Sequence, residues 1–325
     1  MPIFRRLRDL GVLGINARNA RYILRENPRR LYPRVDDKLR TKVLCEAAGI
    51  PVPKLLAVAR RHHEIPELLE RTRSLDSFVV KPARGAMGNG ILVIGSRRGH
   101  AYHRSGGRTL DLEAIRYHVA GIISGLYALG GHRDEAMVEE RLSTHPALRE
   151  IAVEGVPDVR VIVFRGVPVM AMVRLPTRAS GGRANLHQGA IGAGIDLATG
   201  HTVRAVLRNQ PVRTHADSGR PVVGVAIPAF DRVLEVATRA AGQTGLGYVG
   251  ADVVVDAERG PLVLELNARP GLSIQVANGA GLLPRLRRVH ELPTGEMDLA
   301  ERIALGRELS RSHPLRPAAQ EEAAC

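Results

Sequence analysis

Tryptophan is absent from this 325-residue chain, and aromatic residues make up only 3% of it. Flat rings on which nucleic-acid bases stack are therefore scarce. No zinc-finger spacing, RNA-binding aromatic motif or basic zipper is visible either, so the formal net charge of +14 does not by itself make a nucleic-acid binder. That surplus is arginine, spread along the chain with small clusters at Arg5-Arg6, Arg29-Arg30, Arg60-Arg61 and Arg97-Arg98. It reads as solvated surface together with sites for anionic substrates. Cysteine is nearly missing: only Cys45 and Cys325 occur, at opposite ends. A disulfide framework is excluded, and unpaired thiols in a reducing cytoplasm are expected. Long apolar runs are missing too. The best, residues 161–173, is interrupted by Arg165 and falls short of the ~20 residues that span a bilayer. The first ten residues carry arginines but no apolar core of signal-peptide length. The expectation is a cytoplasmic protein with no transmembrane segment.

What is present is a globular composition, 44% hydrophobic and 25% charged, on a chain long enough for two lobes. Residues 1–33 read as a basic helical segment, with a helix at 17–25 stopped by Asn27-Pro28. Asp36-Asp37-Lys38 opens a second helix that ends at Gly49. The pattern then predicts a helix over 64–73, strands over 78–82 and 91–94, a helix over 112–129 and a strand over 136–138. A strand pair at 158–164 and 167–175 follows, then a glycine-rich stretch over 180–194 and a helix over 229–244. Residues after 291 are polar and read as a loose tail. The domain scheme is thus a basic segment (1–33), an N-terminal lobe (34–140), a C-terminal lobe (141–290) and a tail (291–325). The order of elements predicts an α+β fold with antiparallel sheets.

The chemistry gathers in a hairpin. Two strand-like runs, 252–256 and 261–267, flank the turn Ala257-Glu258-Arg259-Gly260. If Asp256 faces Pro261, Asp252 faces Glu265, and Asn267 projects from the face of Glu265. Three oxygen-bearing side chains then meet on one surface, a set suited to Mg²⁺ held jointly with nucleotide phosphates. A second constellation is Lys81-Pro82-Ala83-Arg84-Gly85-Ala86-Met87-Gly88-Asn89-Gly90. Here a strand ending in lysine meets glycines (Gly85, Gly88, Gly90) that let backbone N–H groups approach phosphate oxygens. It is neither a Walker loop nor a Rossmann fingerprint, because a strand follows it. Lys38 sits at a helix start. Glu139, Glu140 and Leu142 end a hydrophobic strand, where acids can accept from an adenine amino group or ribose hydroxyls. Asp158 and Arg160 share a strand face, with Arg174 on the next strand, and arginines so placed can clamp a carboxylate or phosphoryl group.

Taken in order, Asp37-Lys38-Leu39-Arg40 with Gly49-Ile50-Pro51, Asp158-Val159-Arg160, Ala184-Asn185-Leu186-His187 and Glu265-Leu266-Asn267-Ala268-Arg269-Pro270-Gly271 resemble the ATP-grasp ligases. The nearest likeness is to the RimK-type glutamate ligases and their α-L-glutamate ligase-like relatives, over roughly residues 34–290. The resemblance implies an ATP-grasp fold in which two α+β lobes with antiparallel sheets clamp ATP. It implies that Lys38 and Lys81 contact phosphates and that 85–90 is a mobile flap. Residues 139–142 would hold adenine, and Asn185 and His187 would lie near phosphates or acceptor. Asp252, Glu265 and Asn267 would hold two Mg²⁺ ions (Mn²⁺ as a substitute), while Arg174 and Arg160 stabilise an acyl phosphate. The implied reaction joins a carboxylate (a peptide, a protein C-terminus or a small molecule) to an amine or amino acid such as glutamate. With about 35 residues before Asp36, the expectation is a chain lacking most of the usual N-terminal α/β domain, so the resemblance does not carry the substrate over. The segment 143–156 is also longer than in RimK, which leaves Glu150 or Glu154 as candidates for the ribose. A nucleotide-binding scaffold and a basic nucleic-acid-binding protein are the alternatives, and an oligomer is left open.

Overall fold

Runs of buried apolar residues build two antiparallel sheets, and the central strands of the larger one are buried on both faces. The computed structural model describes residues 2–85, 88–104, 107, 109–128 and 131–313. Ala86 and Met87 of the expected flap, Leu129 of the expected helix and residues 314–325 of the expected tail, Cys325 included, lie outside the described residues. The described chain divides into two compact units, one of residues 37–42 and 52–143, the other of residues 2–36, 43–51 and 144–313.

In the smaller unit, β1 (Leu55–Ala59), β2 (Phe78–Pro82), β3 (Leu92–Arg98), β4 (Ala101–Arg104), β5 (Thr109–Leu110) and β6 (Ala136–Glu139) form one sheet in the order β1-β6-β2-β3-β4-β5. The helix Leu112–Ile123 starts where Asp111 accepts from the Ala114 N–H at 2.8 Å, and it buries Ile115, Val119, Ile122 and Ile123. Those positions share one helical face. They pack with Phe78, Val80, Ile94 and Val138 of the sheet and with Leu68 of the helix Ile65–Thr72. The helix expected to run to Leu129 ends at Ile123, because Gly125 then takes φ +85 with its missing Cβ position 2.4 Å from His132 O.

The larger unit holds seven strands: β7 (Asp158–Phe164), β8 (Val167–Leu175), β9 (Ile191–Ile195), β10 (Thr202–Leu207), β11 (Gln210–Val212), β12 (Tyr248–Asp256) and β13 (Gly260–Asn267), in the order β11-β10-β9-β8-β7-β12-β13. Part of the glycine-rich stretch is thus a buried strand, β9, whose Gly192 and Gly194 admit Leu186 and Asn278 against the backbone. The helix Phe230–Thr244 packs on β12 and β13 and stops at Gly245, φ +70, the left-handed turn that ends many helices. The N-terminal helix expected over 17–25 is one helical run from Ile15 to Glu26 with a π-turn at Asn19–Ile23. A further helix, Pro2–Asp9, precedes it. The expected loose tail is a correction. Residues 299–312 form a helix, opened by a capping box between Asp298 and Glu301, and it packs on β8.

Candidate active site

On β7, β8 and β12 the period-two alternation brings four charged side chains to one face of the sheet. Asp158 lies opposite Arg174, and Asp252 opposite Arg160. Arg160 grips Asp252 with both prongs of its fork, Nε to Oδ1 at 2.7 Å and Nη2 to Oδ2 at 2.6 Å. Arg174 does the same to Asp158 at 2.6 and 2.7 Å, and its Nη2 also donates to Asp252 Oδ2 at 2.7 Å. Bidentate pairing of this kind fixes a guanidinium in direction as well as place. Neither Nη1 has a partner among the described residues. Each arginine therefore keeps one free donor edge, already oriented by carboxylates behind it.

Burial alone would favour the neutral forms here. For Asp158, burial and the neighbouring Asp252 push the carboxyl up to about 6 against the pull of Arg174. For Asp252, burial is outweighed by Arg160 and Arg174, and the carboxyl lies below its ordinary value. Burial would likewise discharge Arg174, but Asp158 and Asp252 outweigh it and hold the guanidinium charged.

Glu265 extends the row onto β13, directly opposite Asp252, and Asn267 lies opposite Gly250. The pairing arises differently from the sequence expectation. Asp256 faces Gly260 rather than Pro261, and a bulge between Asp252 and Val253 then adds one residue on β13. The two offsets cancel, so Asp252 still meets Glu265. Such a bulge re-aims the side chains beyond it, and these are Glu265 and Asn267.

In the smaller unit a buried triad joins the two expected phosphate and adenine groups. Lys81 Nζ lies 2.6 Å from Glu139 Oε2, and Lys42 Nζ lies 2.9 Å from Oε1. Lys42 also donates to Pro53 O. Burial would raise the Glu139 carboxyl, but Lys81 and Lys42 outweigh it and lower it. Both Glu139 oxygens are thus engaged by lysines. Lys42 was not singled out from sequence; its place one helical turn after Lys38 was the available signal. Glu140 Oε1 accepts from the Lys54 N–H at 2.6 Å, and Leu142 is half-buried. Lys38 Nζ donates to Gly85 O at 2.6 Å, so it pins the start of the glycine loop. The loop's other end is held by His118, whose Nε2 lies 2.9 Å from Gly90 O while Tyr127 OH meets Nδ1 at 3.3 Å. Gly88 and Gly90 take φ +75 and +76, and a Cβ on Gly90 would stand 2.6 Å from the Tyr127 ring. Asn185, in the larger unit, accepts from the His187 N–H at 3.0 Å and caps a short 3₁₀ turn, with His187 exposed. Glu150 is exposed, and Glu154 lies 3.8 Å from Arg178.

The sugar-transfer associated ATP-grasp family matches residues 17–291. The chain belongs to that family. Its fold is the ATP-grasp fold, with an antiparallel sheet in each of its two units. Among curated proteins, the ribosomal protein bS6–L-glutamate ligases of Salmonella paratyphi B and Salmonella newport are each 24% identical over 254 residues, covering 78% of this chain and 62% of the relative. The chain therefore spans less than two thirds of the length of these relatives. Similar solved structures include the ATP-grasp ligase PsnB complexed with minimal precursor (TM-score 0.45, 18% identity, 82% of this chain and 63% of that one). Another is the D-cycloserine synthetase DcsG (0.44, 16%, 85% and 73%). The D-alanine–D-alanine ligase from Bacillus anthracis complexed with ATP is more distant (0.40, 14%, 86% and 67%).

An ATP-grasp chain implies a divalent cation, and the donors on β12 and β13 can be tested for one. Among the described residues no three His, Cys, Asp or Glu side chains converge as a ready cage. The Glu265 carboxylate, however, forms no hydrogen bond or close ion pair among the described residues, although its charge reaches Arg174. Asn267 Nδ2 is buried without a partner. Three arginine N–H groups occupy Asp252, leaving Oδ1 one of the roughly four acceptor directions of a carboxylate. Glu265, Asn267 and Asp252 thus offer the oxygen donors that Mg²⁺ takes, and the chemistry of these residues fits such an ion.

Proposed function

We propose that this protein joins a carboxylate to an amine at the expense of ATP, through an acyl phosphate. The observation that carries the reading is the row Arg174, Arg160, Asp252, Glu265 and Asn267 on one sheet face in a chain of ATP-grasp family. Arg174 and Arg160 would present their Nη1 edges to the charge that develops on the acyl phosphate and the tetrahedral intermediate. Asp158 and Asp252 hold those edges in place beforehand, which spares reorganisation during the reaction. Glu265, Asn267 and Asp252 would hold Mg²⁺. Bound there, it would neutralise phosphate charge and orient the triphosphate. Two ions, and Mn²⁺ as a substitute, belong to the same proposal, and the stoichiometry of a Mn²⁺ titration tests both.

In the smaller unit, Lys81 and Lys38 would meet the phosphates, with Gly85, Gly88 and Gly90 offering backbone N–H groups. Glu139 is better read as the counter-ion that aligns Lys81 and Lys42 than as a free acceptor for adenine. Reading of the base then falls to Glu140, Leu142 and their backbone. Asn185 and His187 would border the acceptor. The amine is proposed to be an amino acid such as glutamate, and the acceptor a peptide or small-molecule carboxylate.

A screen of amino acids and peptides for stimulated ADP and phosphate release with Mg²⁺, products read by mass spectrometry, tests the reaction. Stimulated release with a new amide bond supports it. Phosphate release that no amine or carboxylate alters, with no condensed product, removes it.

A further inference from the structure

The N-terminal segment reads from sequence as a basic helical segment, and its side chains close the open end of the β12–β13 hairpin. The ladder between these strands finishes at Gly250 opposite Asn267. Just beyond, the strands part. Asn27, only 2% exposed, fills the gap. Its Nδ2 donates to Tyr248 O at 2.8 Å and to Ala268 O at 2.9 Å, and its Oδ1 accepts from the Tyr248 N–H at 2.9 Å. The reciprocal pair with Tyr248 is the one a neighbouring strand residue would make. The second amide hydrogen reaches across to β13's exit, so one side chain spans both strands. Glu26 adds its carbonyl, accepting from Gly247 N–H at 2.8 Å. Arg18, also buried, donates from Nη1 to Pro270 O at 2.7 Å. Tyr32 lies under the Arg269 guanidinium at 5.0 Å.

These contacts hold residues 268–270, which directly follow Asn267. The Asn267 side chain has little to fix it locally, since its buried Nδ2 finds no partner. Its direction is therefore set by its backbone, and the adjoining peptide is what Asn27 grips. The bulge just before the Asp252–Glu265 pair, between Asp252 and Val253, makes this more important, because a bulged ladder is locally disrupted.

We infer that Asn27, with Arg18 beside it, is a positioning residue for the cation site at Glu265 and Asn267. The inference deepens the proposed function and rests on its cation reading. An amide is required because the position needs two donors and one acceptor at once, which neither aspartate nor leucine supplies. The N-terminal segment is then a working part of the site.

Asn27→Ala and Arg18→Met test this in the full chain. Amide hydrogen exchange should rise at least tenfold at residues 265–269 and stay unchanged on β8 and β9. Mn²⁺ affinity, read by electron paramagnetic resonance, should fall about 10- to 100-fold, the range for losing an outer partner of a metal ligand. Raised Mg²⁺ should restore turnover. Exchange that rises evenly over the whole unit, or Mn²⁺ affinity within twofold of wild type, overturns the inference. If Asn27→Ala does not fold, Arg18→Met carries both measurements. A wild-type protein that takes up no Mn²⁺ removes the cation reading itself, and with it the role assigned to Asn27, whatever the exchange shows.

Discussion

Three carboxylates and two guanidiniums share the face of β7, β8, β12 and β13, and this imbalance governs the behaviour of single residues there. Asp252 is served by both arginines, whereas Asp158 shares Arg174 with it. The unmatched negative charge therefore falls on Asp158, whose carboxyl stands at about 6 against roughly 3.9 in an unfolded chain. A carboxyl whose value rises on folding adds stability below the unfolded value, and that stability is lost as pH climbs through about 6. Asp158→Asn should accordingly gain stability relative to wild type between pH 4.5 and 7.5, as read by urea unfolding. A difference that stays flat with pH would refute this. For turnover, Arg174→Ala should cost ~10²–10³, the scale for losing an oxyanion partner, with nucleotide binding largely kept. It should also destabilise the fold by ~3–5 kcal/mol, since Asp158 is left buried and unpaired. Adding Asp158→Asn to Arg174→Ala should recover much of the stability and none of the turnover, which separates the two roles. Near-normal turnover in Arg174→Ala would take the residue out of the chemistry.

At the level of elements, the glycine loop and the hairpin show what a sequence can and cannot disclose. The loop was legible as a strand–glycine–strand motif because glycines mark a backbone that must take positive φ, as Gly88 and Gly90 do. Its clamps were not legible: Lys38 and His118 lie far along the chain from Gly85 and Gly90, and spacing carries no record of such contacts. The hairpin was legible in its outcome, Asp252 opposite Glu265, although the ladder reaches it through a bulge that a regular register does not include. Lys42 escaped notice because its partner Glu139 comes from a strand almost a hundred residues on. The clamp on the loop yields a pH prediction. Burial holds the His118 imidazole below its ordinary value, and because a carbonyl only accepts, Nε2 donates to Gly90 O. A depressed imidazole adds stability above its unfolded value of ~6.5, and this is lost as pH falls through the folded value. His118→Gln should shrink that acid-side loss in thermal midpoint between pH 5 and 7.5. It should also speed amide exchange at Gly88–Gly90, because the glutamine side chain does not reproduce the imidazole's reach. Unchanged exchange there would show that the loop does not depend on His118.

Across the whole molecule, the order of strands and helices was enough to predict an α+β fold with antiparallel sheets, but residues 299–312 were misjudged. The 299–312 stretch looks polar because Leu299, Ile303, Leu305 and Leu309 are set among charged and small residues. The capping pair Asp298 and Glu301 was the overlooked signal of a helix start. That helix ties distant parts of the larger unit together. Ser310 Oγ donates to Asp196 Oδ1 at 2.6 Å and accepts from the Leu197 N–H at 3.2 Å, beyond the end of β9. Gly306 rests against Pro168 O, where a Cβ would approach to 2.3 Å, and Arg307 reaches Asp231 on the helix Phe230–Thr244. The fully buried Arg285 donates to Val169 O at 2.7 Å and to His313 O at 2.9 Å. Burial lowers its guanidinium to about 10, with Asp196 opposing the shift. A helix with this many anchors is a structural part of the fold, so Leu309→Ala should cost ~2–5 kcal/mol by leaving a cavity. Gly306→Ala should also destabilise, through contact with the β8 backbone. Ser310→Ala should cost ~1–3 kcal/mol, because Asp196 loses a hydrogen bond in a half-buried setting. Equilibrium unfolding read by circular dichroism measures all three. If Leu309→Ala and Gly306→Ala both unfold like wild type, the 299–312 helix contributes nothing to the larger unit, and the tail reading from composition was the better one.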